Sequence, residues 1–208
     1  MSKVKMPKSS VSIDMTPMVD MAFLLVTFFI LTTKFRPDEP VAVNTPSSTS
    51  TATIPEKGVV TITVANDGRI FFDLDNQNSR KSLIEKMGET YGITFTVDQQ
   101  NAFATGTSIG IPMGSMQNYL NLSPEDRKKV QQPGIPVDST LNLSNELGVW
   151  LINARIAGGN PVILIKGDGQ ANFPAVNNVI KTLQNRKVLR FGFITADEAM
   201  PTDVAQLK

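Results

Sequence analysis

Between positions 18 and 33 the chain is apolar without alternation and carries one charge, Asp20, in sixteen residues; extended back to Val11 the run reaches twenty-three and gains Asp14. A helix needs about 20 predominantly apolar residues to cross about 30 Å of hydrocarbon. The pattern therefore predicts one transmembrane helix over residues 12–34. Its start has two readings. Thr16 can cap the helix with Pro17 at the first helical position, where a missing N–H removes nothing; or the helix begins near Ser12 and Pro17 kinks it. Both put Asp20 about a turn beyond Pro17, at the N-terminal side of the span.

Downstream the periodicity changes. Residues 37–58, "PDEPVAVNTPSSTSTATIPEKG", are rich in Pro, Ser and Thr and read as a linker. Within it Val41 and Val43, ahead of Pro46, have strand-like spacing. That stretch is either inert connector or a strand that adds to the edge of a second copy or of a partner. Residues 59–73, "VVTITVANDGRIFFD", alternate apolar and polar positions around Asn-Asp-Gly, a hairpin signal. Leu83, Ile84 and Met87 fall at helical spacing. "SPEDRKKVQQPG", residues 123–134, opens with Ser123 as cap and Pro124 behind it, with acids early and bases late as a helix dipole prefers. "SNELGVWLINARIAGGNP", residues 144–161, is an amphipathic helix ending at Gly158 and Gly159, followed by the buried-type strand "VILIK". The fold class that follows is a single N-terminal transmembrane α-helix plus a small α+β domain: a basic arm over 1–11, the helix over 12–34, a linker over 35–57, the domain over 58–196 and a tail over 197–208.

Charge and composition narrow the chemistry. Twenty lysines and arginines against nineteen acids give a net charge of +1, with no basic bias towards nucleic acid. There is no cysteine and no histidine, so a disulfide framework, a thiolate nucleophile, and the usual zinc ligands and triad base are all missing. Proton chemistry then falls to a carboxylate. No pair of acids can be placed on a common pocket, and the expectation is not an enzyme, with no cofactor and no metal.

Lys3, Lys5 and Lys8 precede the apolar run, whereas Lys34 and Arg36 behind it are soon met by Asp38 and Glu39. The cationic excess at the short arm argues for a cytoplasmic N-terminus and a domain on the far side of the membrane. A cleaved signal peptide would share the basic start and apolar core, with a mature chain beginning near Lys34; Asp20 in the core and the lack of a small-x-small site argue for an uncleaved anchor.

An ionised acid at a helix centre costs about 2.5–3.5 kcal/mol on insertion scales, which favours protonation or a face turned to other protein. Stepping along the helix from Asp20 gives Phe23, Leu24 and Thr27, so Thr27 is the other polar group on that face. Thr27 can be a relay or can bond its own helix backbone. Asp20 itself can be an interfacial carboxylate that snorkels to the headgroups, or a functional intramembrane acid. A lone span offers it no partner, which points to another subunit, a second copy of this chain included.

Three stretches have plain structural readings. The glycine-rich "ATGTSIGIPMGS", residues 104–115, lacks the Lys-Ser/Thr pair of a phosphate loop and reads as an irregular loop. "KGDG", residues 166–169, reads as a strand-to-helix turn. Met113, Met116, Tyr119 and Leu120 read as packing residues, and Trp150 as a core anchor.

The segment "DMTPMVDMAFLLVTFFIL" resembles the signature of the ExbD/TolR biopolymer-transport family, in which Thr-Pro, two residues and an Asp open a single Leu/Phe-rich span behind a short basic arm. The hairpin over 59–73 is similar to that family's first periplasmic hairpin, and residues 161–195 to its closing strand, helix and strand. "VAVNTP" resembles a short V-x-V-x-L-P element, with Thr45 in place of the leucine. The resemblance implies an inner-membrane, single-pass subunit whose domain is periplasmic. It implies a multi-span ExbB-like partner, protons as the coupling ion, a TonB-like protein energised for outer-membrane transport, and more than one copy per complex. Carried onto this chain, the family's membrane aspartate is Asp20 and its Thr-Pro pair is Thr16 and Pro17; these two, with Thr27 from the helical face, are the candidate supports of Asp20, while Val41, Val43 and Pro46 are candidate partner contacts. The alternative is a membrane-anchored dimerisation or peptidoglycan-binding module of a Tol-type system. Residues 79–142 depart from the short members of the family and read as an insertion whose role is not inherited.

Overall fold

The structure, a computed structural model, describes residues 14–33, 39–48, 58–138, 140, 142 and 144–197. The basic arm with Lys3, Lys5 and Lys8, the pair Lys34 and Arg36, and the tail beyond 197 lie outside the described residues. In chain order the elements are α1 (Thr16–Thr32), β1 (Ser47–Ser48), β2 (Val59–Val64), β3 (Ile70–Leu74), α2 (Gln77–Tyr91), α3 (Val97–Thr105), α4 (Met113–Leu120), α5 (Pro124–Lys129), α6 (Glu146–Ala157), β4 (Val162–Gly167), α7 (Phe173–Asn185), β5 (Phe191–Ile194) and β6 (Ala196–Asp197). The chain divides after Pro37, which separates α1 from the small α+β domain that holds everything else.

That domain is built on a mixed four-stranded sheet in the order β3-β2-β4-β5. The hairpin forms where the alternation placed it: β2 and β3 pair antiparallel with Val60 opposite Leu74, Ile62 opposite Phe72 and Val64 opposite Ile70. Its turn closes through Gly68, at φ 85°, which only a residue without a side chain adopts freely. β4 joins β2 in parallel, setting Ile163 beside Val60 and Ile165 beside Ile62. Because directly opposed residues share a face, these eight side chains form one continuous apolar surface, and all of them are buried. β5 then follows β4 in parallel through α7. That strand, helix and strand make the crossover the resemblance implied, and α7 carries Val179 and Leu183 into the core.

The core is closed by α6 and by the segment read as an insertion. Trp150 of α6 is fully buried, with the Phe72 ring centroid 5.5 Å away and Phe103 of α3 stacked at 5.8 Å. α2 packs against both α6 and α3. Met113, Met116 and Leu120 of α4 are buried, as the sequence spacing indicated. Residues 79–142, whose role the resemblance left open, supply Leu83, Ile84, Met87, Phe103, Ile109 and Ile111 to the same core as the sheet.

The local signals explain where these helices begin. Asn76 caps α2 by accepting from the N–H groups of Asn78 and Ser79, and α2 ends at Gly92 in the left-handed conformation. Thr96 and Gln99 form a reciprocal capping box at α3. Ser123 accepts from the N–H of Asp126 at the head of α5, with Pro124 behind it, as expected.

The glycine-rich stretch over 104–115 departs from its reading as an irregular loop. Ile109 exchanges both backbone hydrogen bonds with Phe72, each at 2.8 Å, which adds an antiparallel bridge along the free edge of β3. Gly110 is required there, since a Cβ would stand 2.5 Å from the Phe71 ring. The sequence concealed this because backbone pairing with a distant strand needs no local periodicity.

Candidate functional site

Two groups of residues predicted from sequence fall in separate parts of the chain, and each has its own geometry. In α1 the first helical residue is Thr16 and Met15 occupies the cap, so Thr16 is not the cap. The capping oxygen comes from Asp14, whose carboxylate accepts from the Thr16 N–H at 3.0 Å and from its hydroxyl at 2.5 Å. Pro17 lies in the first turn, where its missing N–H leaves no helical bond broken. Asp20 follows one turn later, on the face that carries Phe23, Leu24 and Thr27. The Thr27 hydroxyl donates back to the carbonyls of Phe23 at 3.0 Å and Leu24 at 2.9 Å, the local bond that a threonine in an apolar helix makes for want of other acceptors.

No residue of α1 is buried. Its large apolar side chains point out on every side, from Val26 at 53 % exposure to Leu31 at 85 %. A helix that is apolar all round is stable only inside an apolar medium or among other proteins. Among the described residues no helix is long and apolar enough to cross a membrane. α1 has 17 residues, and a helix of that length rises about 25 Å, short of about 30 Å of hydrocarbon. Residues 12, 13 and 34, which the sequence assigned to the span, lie outside the described residues.

The second group, Val41, Val43 and Pro46, lies in a strap over residues 39–48. Val41 and Val43 are half-buried, alternating with exposed Ala42 and Asn44, and Pro46 is exposed. The strand expected at "VAVNTP" is confined to Ser47–Ser48, which pairs in parallel with Ala196–Asp197. The rest is held by the turn after β4. The Asp168 carboxylate accepts from the Asn44 N–H at 3.0 Å, and the Gly169 N–H donates to the Asn44 carbonyl at 2.9 Å, so this turn grips one peptide unit from both sides. At the start of the strap, Glu39 meets the Lys166 ammonium at 2.6 Å.

Sequence reasoning missed this docking. "KGDG" is the strand-to-helix turn it was expected to be, yet three of its four residues also fasten the linker. An acid and a glycine side by side in such a turn were the available signal, since the pair offers both an acceptor and an unobstructed N–H.

Elsewhere the polar groups serve the fold. Arg80 is buried and donates to Asp73 at 2.7 Å and to the carbonyls of Phe103 at 3.2 Å and Thr107 at 2.7 Å. Burial lowers the pKa of its guanidinium, and the charge on Asp73 opposes that. Glu146, at the head of α6, accepts from the Met113 N–H at 3.0 Å; burial pushes its carboxyl above the usual range, and that hydrogen bond partly offsets the shift. Neighbouring Tyr91 is pushed up to about 12 by burial and by the charge of Glu146. Among the described residues no cluster of three or more metal-ligating side chains occurs.

The chain thus combines an apolar helix bearing one acid with a separate small α+β domain built on a mixed sheet. The family model described as "Biopolymer transport protein ExbD/TolR" matches residues 6–198, nearly the whole chain, and the protein belongs to that family. Neither a curated protein nor a solved structure matches it. Membership brings an energy-transducing role in biopolymer transport, in a family that is anchored in the inner membrane, carries a periplasmic domain, works with ExbB-like and TonB-like partners and is not one of enzymes.

Proposed function

We propose that this chain is the subunit of an ExbB-ExbD-type inner-membrane motor that uses the proton-motive force to energise a TonB-like protein for outer-membrane transport. The observation that carries the reading is α1: apolar on all sides, with one carboxylate a turn inside it. In this reading α1 and its flanks, residues 12–34, span the membrane with the N-terminus cytoplasmic, and a multi-span partner surrounds the helix. A second copy of the chain shares the complex.

Asp20 is the proton carrier. Protonated, it faces apolar surface; ionised, it must face a polar pocket, because a bare charge in hydrocarbon is unfavourable. Moving one charge through the membrane potential is worth about 2.3 kcal/mol per 100 mV, enough to bias one helix position over another about fiftyfold. Thr16, Pro17 and Asp14 fix where the helix begins, and Thr27 ties its hydroxyl to its own backbone. The strap gives displacement a route outward: a pull on residue 39 or beyond is resisted at Lys166, Asp168 and Gly169. Val41, Val43 and Pro46, lying beside that anchorage, are the segment offered to a partner.

The test is co-expression of wild type and Asp20→Asn with an ExbB-like partner, co-purification, and proton flux in liposomes. The complex should form in both, with flux and energised uptake reduced to background in the variant. If the variant behaves like wild type and no multi-span partner co-purifies, α1 is a tether and the chain is a Tol-type module gripping peptidoglycan or a second copy.

A further inference from the structure

The domain contains a cleft of about 610 Å3 that is built largely by residues 105–132. Its lining carries four cations, Arg69, Arg127, Lys128 and Lys129, and one acid, Glu39, which is already paired with Lys166. Three of the cations are engaged elsewhere: Arg69 holds Asp67 at 2.6 Å, Lys129 meets Asp126 at 3.4 Å on an exposed surface, and Lys128 has an interaction of its own.

Arg127 differs. Its guanidinium donates to three carbonyls, those of Leu122 at 2.9 Å, Ala102 at 3.3 Å and Leu120 at 3.2 Å. Carbonyls fix the group in place but do not neutralise it, and among the described residues no carboxylate reaches it. The result is a half-buried positive charge, held rigid and uncompensated, at the wall of a cavity. Tyr119 adds a donor. Its hydroxyl accepts from the Gln132 amide at 3.2 Å, and among the described residues its own proton has no acceptor. Burial raises the phenol's pKa, and the neighbouring Arg127 charge opposes that shift.

We propose that this cleft binds an acidic peptide segment through its carboxylates. The cations are distributed from the β2–β3 turn to the end of α5, and the cavity is about twenty times the ~30 Å3 share of one water, so one compact oxyanion would fill little of it. Several carboxylates on one extended backbone match both the spread of charge and the planar guanidinium geometry. The strap rims the cleft at Glu39 and Pro40, so an occupant lies against the first residues through which the linker enters the domain.

Calorimetric titration of the full chain in detergent micelles with triglutamate tests this, with trilysine and sodium phosphate as controls. Triglutamate should bind saturably, more weakly as salt rises, and trilysine should not bind. Lys129→Glu, on an exposed side chain, should weaken binding about tenfold or more, and Tyr119→Phe about threefold. Arg127→Gln should abolish it, but this variant also frees three carbonyls, so its melting curve is recorded alongside and the first two variants decide. No saturable binding, or binding unchanged in Lys129→Glu and Tyr119→Phe, overturns the proposal. Competition by phosphate at the same concentration as triglutamate overturns it in favour of a general anion site.

Discussion

The helix α1 and the domain behind it handle apolar side chains in opposite ways. In the domain, elements such as β2 set an inner face against an outer one: Val60, Ile62 and Val64 are buried in the shared core, whereas Val59 and Thr61 on the opposite face are only half-buried. In α1 there is no such division, and Phe23, Phe28 and Leu31 are as exposed as Met18 and Met21. The domain satisfies its own hydrophobic surface, while α1 requires surface from elsewhere. Stability of the one is therefore internal, and that of the other is set by its surroundings.

The sharpest way to test the contrast is to damage each side and see whether the other responds. Trp150→Ala removes the ring on which Phe72 and Phe103 pack and should destabilise the domain by about 4 kcal/mol in chemical denaturation, leaving membrane association unchanged. Arg80→Ala deprives Asp73 and two carbonyls of their shared donor, with an expected loss of about 3 kcal/mol by the same measurement. Gly110→Ala, whose Cβ would meet Phe71, should cost about 2 kcal/mol and lower amide-exchange protection at Ile109 and Phe72.

A smaller effect comes from Glu146. Its carboxyl titrates higher in the folded domain than in the unfolded chain, so the folded state holds the proton more tightly. Stability from this group is then fully present below the unfolded pKa, about 4.3, and is lost as pH rises through the folded value. Glu146→Gln should flatten that decline in a plot of melting temperature against pH; an unchanged slope would assign the decline to other groups. Smallest of all, Leu25→Ala in α1 should alter domain stability by less than about 0.5 kcal/mol. Its effect should appear in recovery of the complex from membranes.

Much of the domain was readable in the residues because its signals are local. The hairpin turn at Gly68, the cap at Ser123, and the paired glycines after α6 each act within a few positions of themselves. What was misread depended on partners far along the chain. Ile109 looked like loop until Phe72 paired with it, and no role could be read for residues 79–142 until Phe103 stacked on Trp150 and Met116 joined the same core. The strap was legible as a linker but not as a docked one, because its fasteners at Asp168 and Gly169 are 124 residues or more away from Asn44.

By itself the sequence determined the apolar run with its single acid, the alternation of β2, and the absence of thiol and imidazole chemistry, since each depends only on residue type and spacing. The tertiary structure alone decided the strand order β3-β2-β4-β5, the grip of the turn after β4 on Asn44, and the charged cleft around Arg127. Those features arise from close approach between segments distant in the chain. Hydrogen bonds and charges act over a few ångströms, and only the folded core sets which residues come that near.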